Sequence, residues 1–301
     1  MSETPRTPFH LDDDATYQAW REHKLAEHPA DLGALVVEVA EPRRLSAAEH
    51  AAMLDRIRRA NMVIYAGPAD PDRAIPHALA EQFGLHQLNH NWLSDDDGLT
   101  PLAVSGEGTR PGYIPYTDRP IRWHTDGYYN APDRQIHGLL LHCAERAAEG
   151  GENALMDHEV AYLLLRDADP EHIRALMEPD VLTIPAGTEA DGSERPARSG
   201  PVFAVDPATG NLHMRYTARK HNAIWKDEAR VQRAVARLEA ILDSDSPYIF
   251  RGRLEAGMGL VSNNVLHDRA GFSDDPDHTR LIYRARFFDR VAGTGVADRP
   301  S

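Results

Sequence analysis

Apolar positions along the chain alternate between helical and strand-like spacing. Residues 35–39 and 62–65 are short apolar runs, and Met53, Leu54 and Ile57 recur between them at helical spacing. Ser46 and Glu49 carry the capping-box signature, which predicts a helix opening there and running to Ala60. A second helix is predicted over 71–83, stopped by Gly84, so the first 85 residues read strand–helix–strand–helix. Residues 1–30 read as a polar N-terminal arm with a helix over 15–27. Residues 86–121 lose periodicity and are rich in Asn, Asp, Gly and Pro, as binding loops and lids are.

Further along, strands are predicted at 136–143, 154–156, 181–184, 202–205, 212–217, 248–250, 260–262, 265–266 and 281–288. Helices fall at 157–177, broken near Pro170, and at 227–242, where Val231, Val235, Leu238 and Leu242 form one stripe. Residues 186–200 read as a mobile loop and 289–301 as a frayed tail. Many short strands with a few covering helices predict an α+β, mainly β fold. Its core is a double-stranded β-helix (jelly roll) buttressed by helices, one domain over 1–301 with the site at the barrel mouth.

Composition narrows the function. A formal net charge of -14 argues against a nucleic-acid backbone or an anionic membrane as partner, so an anionic ligand needs a local cluster of cations. Cys143 is the one cysteine, which excludes an internal disulfide and any cysteine-based zinc or iron–sulfur site. The N-terminal residues lack the pattern of a signal peptide, and no apolar run reaches membrane-spanning length. Together these predict a cytoplasmic protein, with the oligomeric state left open.

The chemistry gathers in residues 122–130, Arg-Trp-His-Thr-Asp-Gly-Tyr-Tyr-Asn. In an extended segment His124 and Asp126, two apart, point to one side and present an imidazole and a carboxylate together. His10 and Asp12 share that spacing but lie in a polar arm with nothing to orient them. His267, after the apolar 259–262 and Asn263-Asn264, is the best candidate for a second imidazole. Two His and one carboxylate on one face of an iron, with the other face open, is the ligand set of non-heme Fe(II) oxygenases. His86, His90, His137 and His142 are read as structural. Alternation over 280–287 puts Arg280, Ile282, Arg284 and Arg286 on one strand face, and guanidinium groups aimed from one strand suit carboxylates. Arg122, Tyr128, Tyr129, Arg215 and Arg219 are further candidates to meet an acidic or zwitterionic substrate.

Four segments, Trp-His-Thr-Asp at 123–126, Gly-Gly-Glu-Asn at 150–153, Asn-Asn-Val-Leu-His at 263–267 and Arg-Leu-Ile-Tyr-Arg-Ala at 280–285, together resemble the Fe(II)/2-oxoglutarate-dependent dioxygenases of the taurine dioxygenase superfamily. The resemblance covers about residues 110–290. It implies iron ligation by His124, Asp126 and His267, with Arg280 holding the far carboxylate of 2-oxoglutarate. Arg284 would meet the substrate's anionic group or the near carboxylate of 2-oxoglutarate. Asn153 stands where the family commonly has a Thr that helps hold 2-oxoglutarate. The implied reaction consumes dioxygen, releases succinate and CO2, and hydroxylates a small anionic or amino-acid-like substrate. Desaturation, cyclisation or C–N or C–S cleavage with the same cofactors is the alternative, and a jelly-roll binding protein without catalysis is another.

Overall fold

The computed structural model describes residues 7–90, 94–104, 114–188, 192 and 194–299. Two facing sheets form a jelly-roll core. Their strands are β1 (Val36–Glu38), β2 (Met62–Ala66), β3 (Thr100–Leu102), β4 (Ile121–His124), β5 (Gly138–Glu145), β6 (Asn153–Met156), β7 (Phe250–Gly252), β8 (Met258–Ser262), β9 (Leu266–Arg269) and β10 (Leu281–Phe287). The larger sheet has the order β1-β2-β8-β5-β10-β3 and the smaller β7-β6-β9-β4. Within these sheets β1 and β2 run parallel; the other pairs are antiparallel.

The period of two sorts the side chains into layers. Ile64, Leu139, Leu141, Cys143, Leu260 and Ile282 of the larger sheet face Leu155 and Phe250 of the smaller one. The opposite face of the larger sheet, with Val63, Leu140, Val261 and Ala285, is covered by Met53, Ile57, Leu79 and Phe83. Met53 and Ile57 come from α2 (Ala47–Ala60), Leu79 from α3 (Ala74–Gln82) and Phe83 from the C-cap of α3; both helices follow α1 (Asp14–Ala26) in the chain. The outer face of the smaller sheet, with Trp123, Ala154, Met156 and Leu266, packs on Tyr162, Leu176, Val235 and Leu238. These belong to α4 (His158–Ala168), α5 (Pro170–Leu176) and α6 (Ala229–Leu242).

Local chemistry sets the element ends. The Ser46–Glu49 capping box is made, and Asn61 ends α2 in the left-handed region at φ 57. The break between α4 and α5 falls at Asp169, extended at φ -169, whose carboxylate accepts from the Glu171 N–H while Pro170 opens the next helix.

Two expectations need correction. The described residues of 186–200 are not an unstructured loop: Gly187–Thr188 pairs with Glu194–Arg195, and Arg198–Gly200 adds to Leu182–Ile184, while 189–191 and 193 lie outside the described residues. The segment 289–299 is not frayed either, because buried charges hold it. Arg299 donates from Nη1 to Glu159 Oε2 at 2.6 Å and from Nη2 to Oε1 at 2.9 Å. The Thr294 hydroxyl accepts from Asn263 Nδ2 at 3.1 Å, and Val291 is 1% exposed. From the other end of the chain, Lys24 of α1 pairs with Asp157 at 2.6 Å and with Glu159 at 2.8 Å.

Candidate active site

The smaller sheet brings the distant histidines together. His267 on β9 is the register partner of His124 on β4, so both rings stand on the sheet's inner side. Their centroids are 4.2 Å apart. Each ring commits one nitrogen to its own strand: His124 Nδ1 lies 2.9 Å from the Arg122 carbonyl and His267 Nδ1 lies 3.0 Å from that of Val265. With Nδ1–H donating to a carbonyl, each Nε2 keeps a lone pair for a metal, the arrangement that fixes tautomer and ring plane in metal-binding histidines. Burial, then the neighbouring His124, pushes the His267 pKa down to about 4, so the ring is neutral near pH 7.

Asp126 joins them by a route the strand spacing does not describe. β4 ends at His124, and Asp126 lies in the turn that follows, where Gly127 takes φ 70. A Cβ at Gly127 would stand 2.4 Å from Ile136 Cγ1, so this turn requires glycine. The turn still delivers the carboxylate, with Oδ1 3.6 Å from His124 Nε2. One ligand atom from each of His124, Asp126 and His267 falls within 4.8 Å of the others. Burial acts to raise the Asp126 pKa, but Arg284 and the neighbouring imidazoles outweigh it and hold the carboxyl well below its usual range. Asp126 Oδ2 is buried without a hydrogen-bond donor among the described residues. Two imidazole nitrogens and an ionised carboxylate fit a divalent iron.

The strand β10 supplies the cations. Ile282 belongs to the core between the sheets, while Tyr283 and Ala285 belong to the outer one, so Arg284 and Arg286 turn inward with Ile282. Arg284 Nη1 is 3.3 Å from both Asp126 oxygens. Arg286 Nη1 donates to the Tyr129 hydroxyl at 2.7 Å. Arg280 is 6% exposed, lies 5.1 Å over the Phe272 ring and donates to the Leu102 carbonyl at 3.4 Å. Its Nε is 3.7 Å from where a Cβ at Gly151 would stand, so the Gly150-Gly151 turn borders the guanidinium.

The remaining candidates divide. Tyr128 is buried, with its ring edge-on to His124 at 6.5 Å, and Tyr129 packs edge-on against it at 5.3 Å. Arg122 is exposed on β4 and lines an outer cleft of about 540 Å³ with Arg251, Asp268 and Glu239, away from the three ligand atoms. Asn153 Nδ2 donates to the Asp268 carbonyl at 2.6 Å and fastens β9 beside His267, and the residue borders a small cavity with Arg280 and Gly150-Gly151. Arg215 is also corrected. It is 5% exposed and donates to the carbonyls of Tyr128, Leu182, Gly200 and Arg198, which leaves it no free fork for a substrate.

Sequence reasoning missed Asn264. Its Oδ1 accepts from the Asp126 N–H at 2.8 Å, and its Nδ2 donates to the carbonyls of Asp126 at 2.9 Å and Ile136 at 2.7 Å. One amide therefore grips both sides of the Asp126 main chain. The residue sits at φ 52, which Asn tolerates better than most. The Asn263-Asn264 pair signals a turn, and nothing in it marks a partner 138 residues away.

Comparison with known proteins agrees with this geometry. The family described as taurine catabolism dioxygenase TauD, TfdA matches residues 21–286. A uridine-5'-phosphate dioxygenase from Amycolatopsis sp is 32% identical over 55% of this chain and 60% of its own length. Another from Streptomyces sp is 30% identical over 69% of this chain and 76% of its own. The chain thus spans less than two thirds of the first of these relatives. A solved asparagine oxygenase, in complex with Fe(II), 2S,3S-3-hydroxyasparagine and succinate, shares the fold with a TM-score of 0.53 and 15% identity, covering 95% of this chain and 86% of that one.

Proposed function

The chain belongs to the TauD/TfdA dioxygenase family, whose cofactors are Fe(II) and 2-oxoglutarate, and on that premise we propose that it hydroxylates a small anionic molecule and releases succinate and CO2. The convergence of His124, Asp126 and His267 within 4.8 Å carries this reading. These residues would hold the iron. Arg280, buried beside the Gly150-Gly151 turn, would hold the far carboxylate of 2-oxoglutarate. When bound, iron and 2-oxoglutarate together supply the oxidising power drawn from dioxygen. The protein's own part is to orient the substrate C–H bond and to exclude water. Tyr128 and Tyr129 give the ligand set an aromatic border suited to both tasks. The retained carboxylate of Asp126 supports hydroxylation over other outcomes. The two relatives named as uridine-5'-phosphate dioxygenases make nucleoside 5'-monophosphates the first compounds to try.

The test begins with anaerobic addition of Fe(II) and 2-oxoglutarate, which should give a weak visible charge-transfer band. Succinate release is then followed across a panel of small anions that includes uridine-5'-phosphate. His124→Ala or Asp126→Ala should abolish substrate-stimulated succinate release with the fold intact, and Arg280→Ala should raise the 2-oxoglutarate requirement at least about tenfold. Full turnover in either ligand variant would defeat the assignment.

A further inference from the structure

Among the described residues, β10 and the arginine just before it carry more positive charge than the cofactors neutralise. Arg280, Arg284 and Arg286 are 6%, 8% and 3% exposed, and Asp126 is the one carboxylate within ion-pair distance of any of them among the described residues. The iron's two positive charges offset the two negative charges of 2-oxoglutarate. Among the described residues, three guanidinium groups against one carboxylate therefore leave a surplus of two positive charges after both cofactors are in place. Buried unpaired charge is costly unless a ligand completes it.

The hydrogen bonding locates the surplus. Arg284 Nε is buried with no partner among the described residues. Arg286 meets the neutral Tyr129 hydroxyl through one of its nitrogens, and the Tyr129 ring lies 5.9 Å from its guanidinium carbon. Arg284 and Arg286 are two apart on one strand face, about 6–7 Å, so their forks can close on a single tetrahedral group. Arg280, four residues from Arg284, is about 13 Å away along the strand and serves a different group.

We propose that Arg286, held by Tyr129, forms with Arg284 a subsite for a dianionic head group of the substrate, and that this head group is a phosphate monoester. The inference rests on the oxygenase reading above and adds to it a residue and a charge. A carboxylate or an amino acid zwitterion leaves the surplus in place, whereas a phosphate monoester carries about -1.5 to -2 near pH 7 and removes most or all of it. Tyr129 keeps the Arg286 fork in one orientation before the ligand arrives, so less side-chain freedom is lost on binding.

The experiment uses the protein loaded anaerobically with Fe(II) and 2-oxoglutarate. Calorimetric dissociation constants are measured for inorganic phosphate, uridine-5'-phosphate and uridine. The wild type should bind the monophosphate at least tenfold more tightly than the nucleoside, and this preference should grow as pH rises through about 6, where the phosphate loses its second proton. Arg286→Gln should erase the preference and the binding of inorganic phosphate while leaving 2-oxoglutarate affinity unchanged. Arg286→Lys should restore part of it, and Tyr129→Phe, a milder change, should weaken phosphate binding severalfold. Equal binding of monophosphate and nucleoside by the wild type, no binding of any of the three, or a preference that survives Arg286→Gln would overturn the subsite. If the charge-transfer band forms and the phosphate preference is missing, the subsite alone fails. If the band does not form, the oxygenase reading fails and takes the subsite with it.

Discussion

Asn264 shows how little of a metal site resides in its ligands. Its amide reproduces a strand's pairing with the Asp126 peptide and fixes where the carboxylate stands. Asn264→Ala is expected to weaken Fe(II) or Co(II) binding about 10–100-fold, the usual cost of losing a group that orients a ligand. Asn264→Gly relieves the backbone at φ 52 yet still lacks the amide, so the two variants should lose similar affinity in a metal titration. Wild-type affinity in Asn264→Gly would refute the role. At this scale the sequence was legible where chemistry is local. Alternation placed Arg284 and Arg286 on the face of Ile282, whereas Asp126 reaches the site from a turn beyond β4 that strand spacing does not describe. It was illegible where a side chain has several outlets for the same donors. Asn153 and Arg215 are hydrogen-bonding residues that the fold uses on main-chain carbonyls, and residue type does not say which acceptor wins.

Elements were legible for a different reason. A half-buried strand or helix must repeat its apolar positions, so β2, β5, β10, α2 and α6 stand close to where periodicity puts them. The segment 186–200 was not, because its strands of two and three residues are too short to show a period. Arg215 substitutes for that missing apolar content by tying the Leu182–Ile184 and Arg198–Gly200 strands to the main chain at Tyr128. Arg215→Met should therefore cost about 3 kcal/mol of stability, since it strands several buried carbonyls. Denaturant midpoints would register that loss, and KM for the substrate should stay where it was. A raised KM at unchanged stability would return Arg215 to the substrate pocket.

At the scale of the molecule, both ends of the chain converge on the start of α4. Glu159 is fully buried and accepts from Lys24 of the arm and Arg299 of the tail. Burial acts to raise its pKa, but Arg299 and Lys24 outweigh that and hold it well below the usual value. A carboxylate with a lowered folded pKa stabilises the fold above its unfolded value of about 4.3, and that contribution is lost as pH falls through the folded value. Arg299→Met leaves Glu159 with less compensation and should cost about 3–5 kcal/mol at pH 7. Its stability should then fall less steeply than the wild type's between about pH 4.3 and 2, because less of the lowered pKa remains to be lost. Equilibrium unfolding of both proteins across that range would check the difference, and parallel curves would contradict it.

The clamp around Glu159 also bears on how the protein is made. A ribosome releases Lys24 long before Arg299. Until Arg290 and Arg299 follow, the start of α4 carries two acids, Asp157 at its N-cap and Glu159 in its first turn, with Lys24 to answer them. The nascent chain thus waits on residues 290–299 to seal the helical layer behind the smaller sheet, and deletion of that segment should yield a product that proteases clear.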